Sequence, residues 1–253
     1  VPFADKGLNL LPKNVSFNSD IQAALKGDNA ELKANLISEI LNLSNLDASY
    51  NLAQNTAKAN AQALVPDLAK FGNISGTKLS GQIALNADID ANLNNQKSPL
   101  KSANVDIKAM DGIITANLDN GKLKAKIQNI LVQNIFLMIG QKPLLNGELN
   151  GELNLDSIDI ANLNGKGDIK LENGVLNAAN LKELTNKEFP QNTTLNAHIK
   201  PTFTNSTVHF ASIINSNLAT INKFDGSYDI NKNSLEALYS ADIPSLAKLE
   251  FLT

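Results

Sequence analysis

Residues Leu144–Leu155 have the sequence "LLNGELNGELNL", whose spacing fits either a helix or a strand. Its leucines recur four residues apart, a spacing that a helix would also place on one side. Between them, however, polar residues fill every second position, and this period of two is typical of a half-buried β-strand. A strand places the remaining residues together on one face: Leu145, Gly147, Leu149, Gly151, Leu153 and Leu155.

The two glycines on this face need an explanation, because glycine weakens a strand and leaves a hole in a closed core. We interpret Gly147 and Gly151 as positions where the strand bends and where space remains beside each leucine for a bound molecule. On this interpretation, replacing either glycine with leucine impairs accommodation of the bound molecule more than it impairs folding.

The same alternation predicts strands over most of the chain. Residues 15–36 contain two alternating runs around "GDN", which predicts a hairpin, and residues 79–93 alternate throughout. Asp111-Gly112 and Asn120-Gly121 separate three further runs, and such dipeptides supply the positive φ angles that tight hairpin turns need. Shorter alternating runs follow towards the end of the chain: 195–199, 208–210 and 228–230.

A few segments interrupt this pattern. Short helices are predicted at three places: 65–72, 130–140 and 178–189. Region 37–64 leaves two alternatives open, because "LNLSNLDASYNL" alternates whereas "AQNTAKANAQAL" fits a helix or a strand. The Gly-Lys-Gly of residues 164–168 is interpreted as a turn, since a phosphate-binding loop has a longer spacing and precedes a helix.

These patterns predict a mainly β protein. We expect an elongated, curled antiparallel β-sheet, a rolled or taco-like β-trough with an apolar interior and about three short helices. No linker divides the chain, so residues 1–253 are expected to form a single elongated domain with a weak possible boundary near residue 130. A β-sandwich that closes on itself remains an equally good alternative on pattern alone.

The composition excludes several functional classes. A net charge of −3 without a basic cluster argues against nucleic acid as a partner. The absence of cysteine excludes disulfides and thiol chemistry, and suits an oxidising compartment. No apolar run is long enough for a transmembrane helix. Because the chain begins Val1-Pro2 without Met, we expect a trimmed form, with any membrane anchor outside it.

No catalytic, metal or cofactor site is predicted. His198 and His209 each lie between apolar residues, so alternation places both on the polar face, without the spacing of a zinc motif. Asp88 and Asp90 share a face but lack the glycine and glutamate of a calcium loop, so they are interpreted as solvated residues. No serine nucleophile motif is present, and the chain is predicted not to be an enzyme.

An apolar sheet face must be covered, and about three short helices are too few to cover a dozen strands. Aromatic residues reach only 5% and Trp is absent, so the face is smooth and aliphatic. Burial contributes about 0.8 kcal/mol per CH₂, so a chain of about sixteen carbons gains on the order of 10 kcal/mol. The predicted lipid-groove residues are Leu145, Gly147, Leu149, Gly151, Leu153, Leu155, Ile169, Leu171, Leu195, Ile199 and Phe210.

The order of phrases from 127 to 243 resembles the AsmA-like family, which includes the TamB relatives. "IQNILVQNIFLMIGQKPLLNGELNGELNLDSI" has the family's strand, short helix and Gly-spaced strand, and "GKGDIKLENGVLNAANLKEL" is similar to its next phrase. Its closing strands are similar to the segment that contains Gly226, Asp229 and Ile230.

This resemblance implies that residues 131–253 correspond to the family's C-terminal region. It further implies a periplasmic protein that is held by an inner-membrane helix outside this chain. Such a protein carries phospholipid between the inner and outer membranes and maintains the outer membrane. The partner is then a phospholipid or another acyl-chain lipid. Two other functions stay open: a structural or adhesive β-solenoid, which requires parallel coils, and a closed β-sandwich that acts as an envelope assembly scaffold.

Overall fold

A computed structural model describes residues 15–71, 78–95, 99–159, 162–245, 247, 249 and 250. The predicted mainly β class is confirmed: fourteen strands form an antiparallel sheet in which sheet order follows chain order. Among the described residues, β1 pairs only with β2 and β14 only with β13, so the sheet is not closed. The strands are β1 (Phe17–Lys26), β2 (Asn29–Ser38), β3 (Asn42–Asn51), β4 (Thr56–Val65), β5 (Ile83–Asn92), β6 (Leu100–Ala109), β7 (Gly112–Asp119), β8 (Lys122–Leu131), β9 (Leu145–Ser157), β10 (Asn164–Leu176), β11 (Asn196–Thr204), β12 (Thr207–Asn215), β13 (Thr220–Asp229) and β14 (Ser234–Asp242).

The chain divides into two compact units. The first unit comprises Val1–Gly121 with Leu137–Gln141 and contains β1 to β7. The second comprises Lys122–Phe136 with Lys142–Thr253 and contains β8 to β14. The expectation of one elongated domain with a weak boundary near residue 130 stays a prediction.

Helices are short and few in the described part of the chain. Two of the predicted helices are present as α1 (Val132–Met138) and α2 (Ala178–Thr185). The third, predicted at 65–72, is a 3₁₀ turn over Leu68–Phe71, and its last residue lies outside the described ranges. Asn177 caps α2, because its side chain accepts a hydrogen bond from the backbone N–H of Asn180.

Tight turns with positive φ set the register of the hairpins. The predicted hairpin at the start is confirmed as β1 and β2, joined at Gly27, which has φ 58°. The turn predicted at Asp111-Gly112 lies one residue earlier, because Met110 and Asp111 have φ 55° and 60° while Gly112 already pairs with Ala109. Two successive positive φ angles match the twist of antiparallel strands, so the backbone geometry places the turn there.

Asparagine takes the left-handed conformation at bulges inside strands. Three register shifts contain Asn45, Asn129 and Asn173, with φ 53°, 55° and 53°. At two of these bulges a side chain of the adjacent strand satisfies the backbone: the N–H of Asn45 donates to Asn35 and that of Asn129 donates to Asn150. A bulge adds one residue and bends the strand, so apolar residues on both sides of it stay on one face.

The structure corrects several local predictions. Residues 164–168 are not a turn but the start of β10, and Asn173-Gly174 forms the bulge near the end of the same strand. The ambiguous region 37–64 consists mainly of β3 and β4, so its Ala-rich part is strand rather than helix. Alternation continues through residues 164–168 and through the Ala-rich part of 37–64. It outweighs the local turn and helix signals, because the neighbouring strands complete the backbone hydrogen bonds of these segments.

Antiparallel pairing also bears on the solenoid alternative. The described strands pair in antiparallel fashion, from β1–β2 to β13–β14. A β-solenoid stacks parallel coils, so that fold is contradicted.

The turns at Met110-Asp111 and Asn120-Gly121 differ in composition, so they test how much a positive φ angle costs at a residue other than asparagine or glycine. Met110 has φ 55°, which costs an ordinary residue about 1 kcal/mol, whereas Asn120 has φ 47° and asparagine tolerates this region. We expect Met110→Asn to raise the free energy of unfolding by about 0.5–1 kcal/mol and Asn120→Met to lower it by a similar amount. Urea unfolding of both variants checks this, and equal effects of the same sign would contradict it.

Candidate functional site

Strand register in the second unit aligns an apolar face across β8 to β14. Cross-strand partners form rows in which large and small residues mix. Three rows are Ile127–Gly151–Ile169–Ile199–Ser212–Phe224–Tyr239, Leu123–Leu155–Gly165–Phe203–Val208–Tyr228–Leu235 and Ile130–Leu149–Leu171–Ala197–Ile214–Ile221–Ala241. A fourth row contains Ala125, Leu153, Gly167, Pro201, Phe210, Gly226 and Ala237. We call these residues the apolar face of the second unit.

The predicted groove residues lie on or next to this face. Leu149 pairs with Leu171, and Gly151 pairs with Ile169, which also pairs with Ile199. One position differs: Leu195 precedes β11 instead of lying within the strand, and its N–H donates to the carbonyl oxygen of Gly174. The role of these residues in holding lipid stays a prediction.

The side chains of this face are mostly half-buried rather than buried. Among the predicted groove residues, only Gly147 and Leu155 are buried, and Leu155 is 8% exposed. On the edge strand β14 the face is open, since Leu235 is 63% and Tyr239 is 73% exposed. In a sheet covered by a second layer, inward-facing side chains of this size are buried. Neighbours within the same sheet therefore provide most of the cover on this face.

The glycines make that packing within the sheet possible. A Cβ atom on Gly151 would lie 2.9 Å from the carbonyl oxygen of Asp168 and 3.3 Å from Cγ1 of Ile169. Gly147 has φ 148°, which other residues rarely adopt, and its Cβ would lie 3.0 Å from Cδ1 of Leu171. The interpretation that these glycines leave space for a bound molecule is therefore wrong, because neighbouring strands already occupy that space.

The ring of Phe210 also packs over a glycine of the adjacent strand. This ring lies over Gly226, where an added Cβ would overlap Cζ of the ring. The ring also stacks on Phe224, with ring centroids 5.6 Å apart and an interplanar angle of 25°. Pro201 pairs with Phe210 from β11 and packs over Gly167. Sequence reasoning did not include Pro201, Gly226 and Phe224 among the groove residues. Pro201 has the same parity as Ile199 on β11, whereas Phe224 and Gly226 lie on β13, where no groove residue was predicted.

The first unit has an apolar face of its own, richer in alanine. Its rows are Leu25–Ala30–Tyr50–Ala57–Ala91, Ala23–Leu32–Ala48–Ala59–Ile89–Ala103–Leu118 and Ser19–Leu36–Leu43–Ala63–Leu85–Ile107–Ile114. Of these, Ala91, Ala103 and Leu118 are buried and most others on β2 to β7 are half-buried. In the first two of these rows, alanine rather than glycine provides the small positions beside the large side chains.

The opposite face of the second unit is polar and carries charges of both signs. Register places His198 and His209 there, as predicted. Nε2 of His198 lies 2.9 Å from both carboxylate oxygens of Asp168, and this hydrogen bond lowers the pKa of Asp168. In the first unit, Asp90 is half-buried and its carboxylate lies 3.7 Å from Lys58 Nζ.

Two shallow depressions lie in this polar face. One, of about 490 Å³, is lined in part by Lys126, Lys170 and Glu152. The other, of about 330 Å³, is lined in part by Lys166, Lys200 and Glu152, and Asp168 borders both. Because lysines and carboxylates alternate around each depression, neither presents a concentrated charge of one sign to an ion.

No three His, Asp or Glu side chains come together as metal ligands in the described ranges. Within the same ranges, no helix has both the length and the apolar character needed to cross a membrane.

No family model, curated protein or solved structure matches the chain.

Packing over glycine predicts a stability effect at Gly151. The variant Gly151→Ala places a methyl group against the Asp168 carbonyl and Ile169, so we expect the free energy of unfolding to fall by about 1–3 kcal/mol. The matched control Glu152→Ala changes an exposed residue of the same strand and should alter stability by less than about 0.5 kcal/mol. Equal stability of the two variants in urea unfolding would show that the sheet has room at Gly151.

The Asp168–His198 contact predicts a pH effect. Because its folded-state pKa is lowered, Asp168 contributes stability above its unfolded-state pKa, and this contribution is lost as pH falls through the folded-state pKa, below about pH 4. We expect His198→Ala to raise the pKa of Asp168 towards 3.8, and Lys170→Ala to raise it less, because the hydrogen bond is the larger cause. NMR titration of the carboxyl carbon measures both changes. A larger rise in Lys170→Ala would contradict this order of causes.

Proposed function

We propose that this chain binds the acyl chains of phospholipids along its apolar faces and conducts them in the periplasm, between the inner and outer membranes. In this role the chain contributes to outer-membrane homeostasis and performs no covalent chemistry. The observation that carries the proposal is the row structure of the second unit: each row places apolar or small residues on one face from β8 to β14, and most of these side chains are half-buried.

The chemistry of the face fits an acyl chain. The rows are aliphatic with a few aromatic rings, and the polar residues of the same strands lie on the opposite face. A surface without directional hydrogen-bonding groups selects for apolar length rather than for a particular headgroup. Burial of about sixteen methylene groups contributes on the order of 10 kcal/mol, which offsets the loss of freedom of the bound lipid.

We further propose that the sheet curls, so that the apolar face lines a trough. Bulges support this, because the extra residues at Asn129 and Asn173 each bend a strand of the second unit. Glycines support it as well, since Gly147 and Gly151 let adjacent strands approach closely on the face that would be concave. In a trough, the headgroup of a lipid stays in water at the open side while the acyl chains contact the leucines.

The resemblance to the AsmA-like family supplies the proposed compartment and pathway. In that family a rolled sheet with an apolar groove is associated with lipid movement between membranes, and the proposed trough has the same form. The competing scaffold function requires a closed sandwich. Half-burial of Leu149, Ile169 and Ile199 weighs against that alternative, because a closed core would bury them.

Photo-crosslinking tests lipid binding face by face. We expect benzoylphenylalanine at Leu153, Ile169 or Ile199 to form adducts with phospholipid when the protein is mixed with vesicles of phosphatidylethanolamine and phosphatidylglycerol. Each position has a neighbour on the polar face of the same strand that serves as its control: Glu152, Lys170 and Lys200. Mass spectrometry of the irradiated protein should detect adducts for the first set at several times the level of the controls.

Two results would contradict the proposal. Equal labelling of both faces would show that contact with vesicles is non-specific. Absence of adducts at every position of the apolar face, in variants that remain folded by circular dichroism, would favour a closed scaffold without room for an acyl chain.

A further inference from the structure

Among the described strands, only β2 pairs with the edge strand β1. Each of its residues, Phe17–Lys26, is exposed, including Phe17 at 66%, Ile21 at 62% and Leu25 at 70%. Its ladder with β2 runs from end to end without a register shift, so its backbone is regular. The N–H and C=O groups on its other side have no strand partner among the described residues.

Such an edge is normally protected from pairing with another chain. Proline, bulges and very short strands are the usual devices, and inward-pointing charges are another. β1 has ten residues, no proline and no bulge, and its two charges, Asp20 and Lys26, lie on the polar side of the alternation. The strand therefore presents a regular template to which an antiparallel strand can add.

The sequence of β1 is complementary to itself. In an antiparallel pair with Ala23 opposite Ala23, Asp20 lies opposite Lys26 twice, and Ile21 lies opposite Leu25 twice. Opposite charges and apolar residues that face each other across a strand pair both stabilise it. A two-fold axis at Ala23 keeps the apolar residues of both copies on one face.

We propose that two copies of this chain associate through β1, antiparallel about a two-fold axis at Ala23. Two-fold pairing of identical surfaces is the commonest form of homo-oligomer. The interface consists of residues 20–26 of each copy. It is smaller than a standard stable interface, so association is weak and depends on concentration.

The other exposed edge, β14, does not offer the same complementarity. Its charged residues are Glu236 and Asp242, so pairing with itself forms no ion pair. Pairing β14 with β1 so that Glu236 faces Lys26 also places Asp242 opposite Asp20, and like charges that face each other are destabilising. Charge complementarity therefore favours β1 with β1.

A charge exchange tests the register. We expect sedimentation equilibrium of the unmodified chain to show a monomer–dimer equilibrium. Asp20→Lys should weaken dimerisation at least tenfold, because it places two lysines opposite each other twice, and the double variant D20K/K26D should recover most of the loss. Glu236→Lys in β14 is the matched control and should leave the dimerisation constant unchanged. Circular dichroism checks that each variant is folded, since Lys26 also lies 3.3 Å from Glu31 within one copy.

Cysteine crosslinking tests the same register without relying on charge. The chain has no cysteine, so Ala23→Cys adds a single thiol. We expect it to form a covalent dimer under mild oxidation, whereas Ala24→Cys, which points to the opposite face and lies off the axis, should form far less. A monomer at all concentrations would overturn the proposal. Crosslinking through Leu238→Cys on β14 in place of Ala23→Cys would overturn it too.

Discussion

The side chains of the apolar sheet face are covered mainly by their neighbours within the same sheet. Large side chains on one strand lie over small residues on the next, as Ile169 does over Gly151 and Phe210 does over Gly226. These two glycines lack a side chain at positions where the backbone or a ring of the adjacent strand occupies the space. Apolar contact within one layer thus replaces part of the contact that a second layer would provide, and it leaves most of the face half-buried.

Asparagine provides the backbone geometry that keeps this face continuous. Nine of the eleven described non-glycine residues with positive φ are asparagine, at turns such as Asn120 and at bulges such as Asn129. A bulge shifts the alternation by one residue, so Ile127 and Ile130 lie on the same face despite their opposite parity. The abundance of asparagine, with 37 residues, therefore reflects repeated use of the left-handed conformation as well as a polar face.

Period-two alternation was sufficient to predict the fold class and most strands, because it depends only on which residues are apolar. It could not predict which residues lie opposite each other, since register depends on bulges and on turns such as Met110-Asp111, which lacks a typical turn sequence. The glycines of β9 were assigned to the correct face but given the wrong purpose, because the partner that fills each space lies on β10. Pro201 was missed for the same reason: its role over Gly167 appears only when β11 is aligned with β10.

Lipid binding as proposed requires the apolar face to be accessible in the free protein and covered when lipid is bound. Hydroxyl-radical footprinting of Leu149, Ile169 and Phe210, with and without phosphatidylglycerol, distinguishes these two states. We expect oxidation of these side chains in lipid-free protein and strong protection when lipid is added, with unchanged labelling of polar-face residues. Protection in both conditions would contradict lipid binding at this face, because the protein itself would then cover it. Equal oxidation in both conditions would contradict it as well, because lipid would then not bind there.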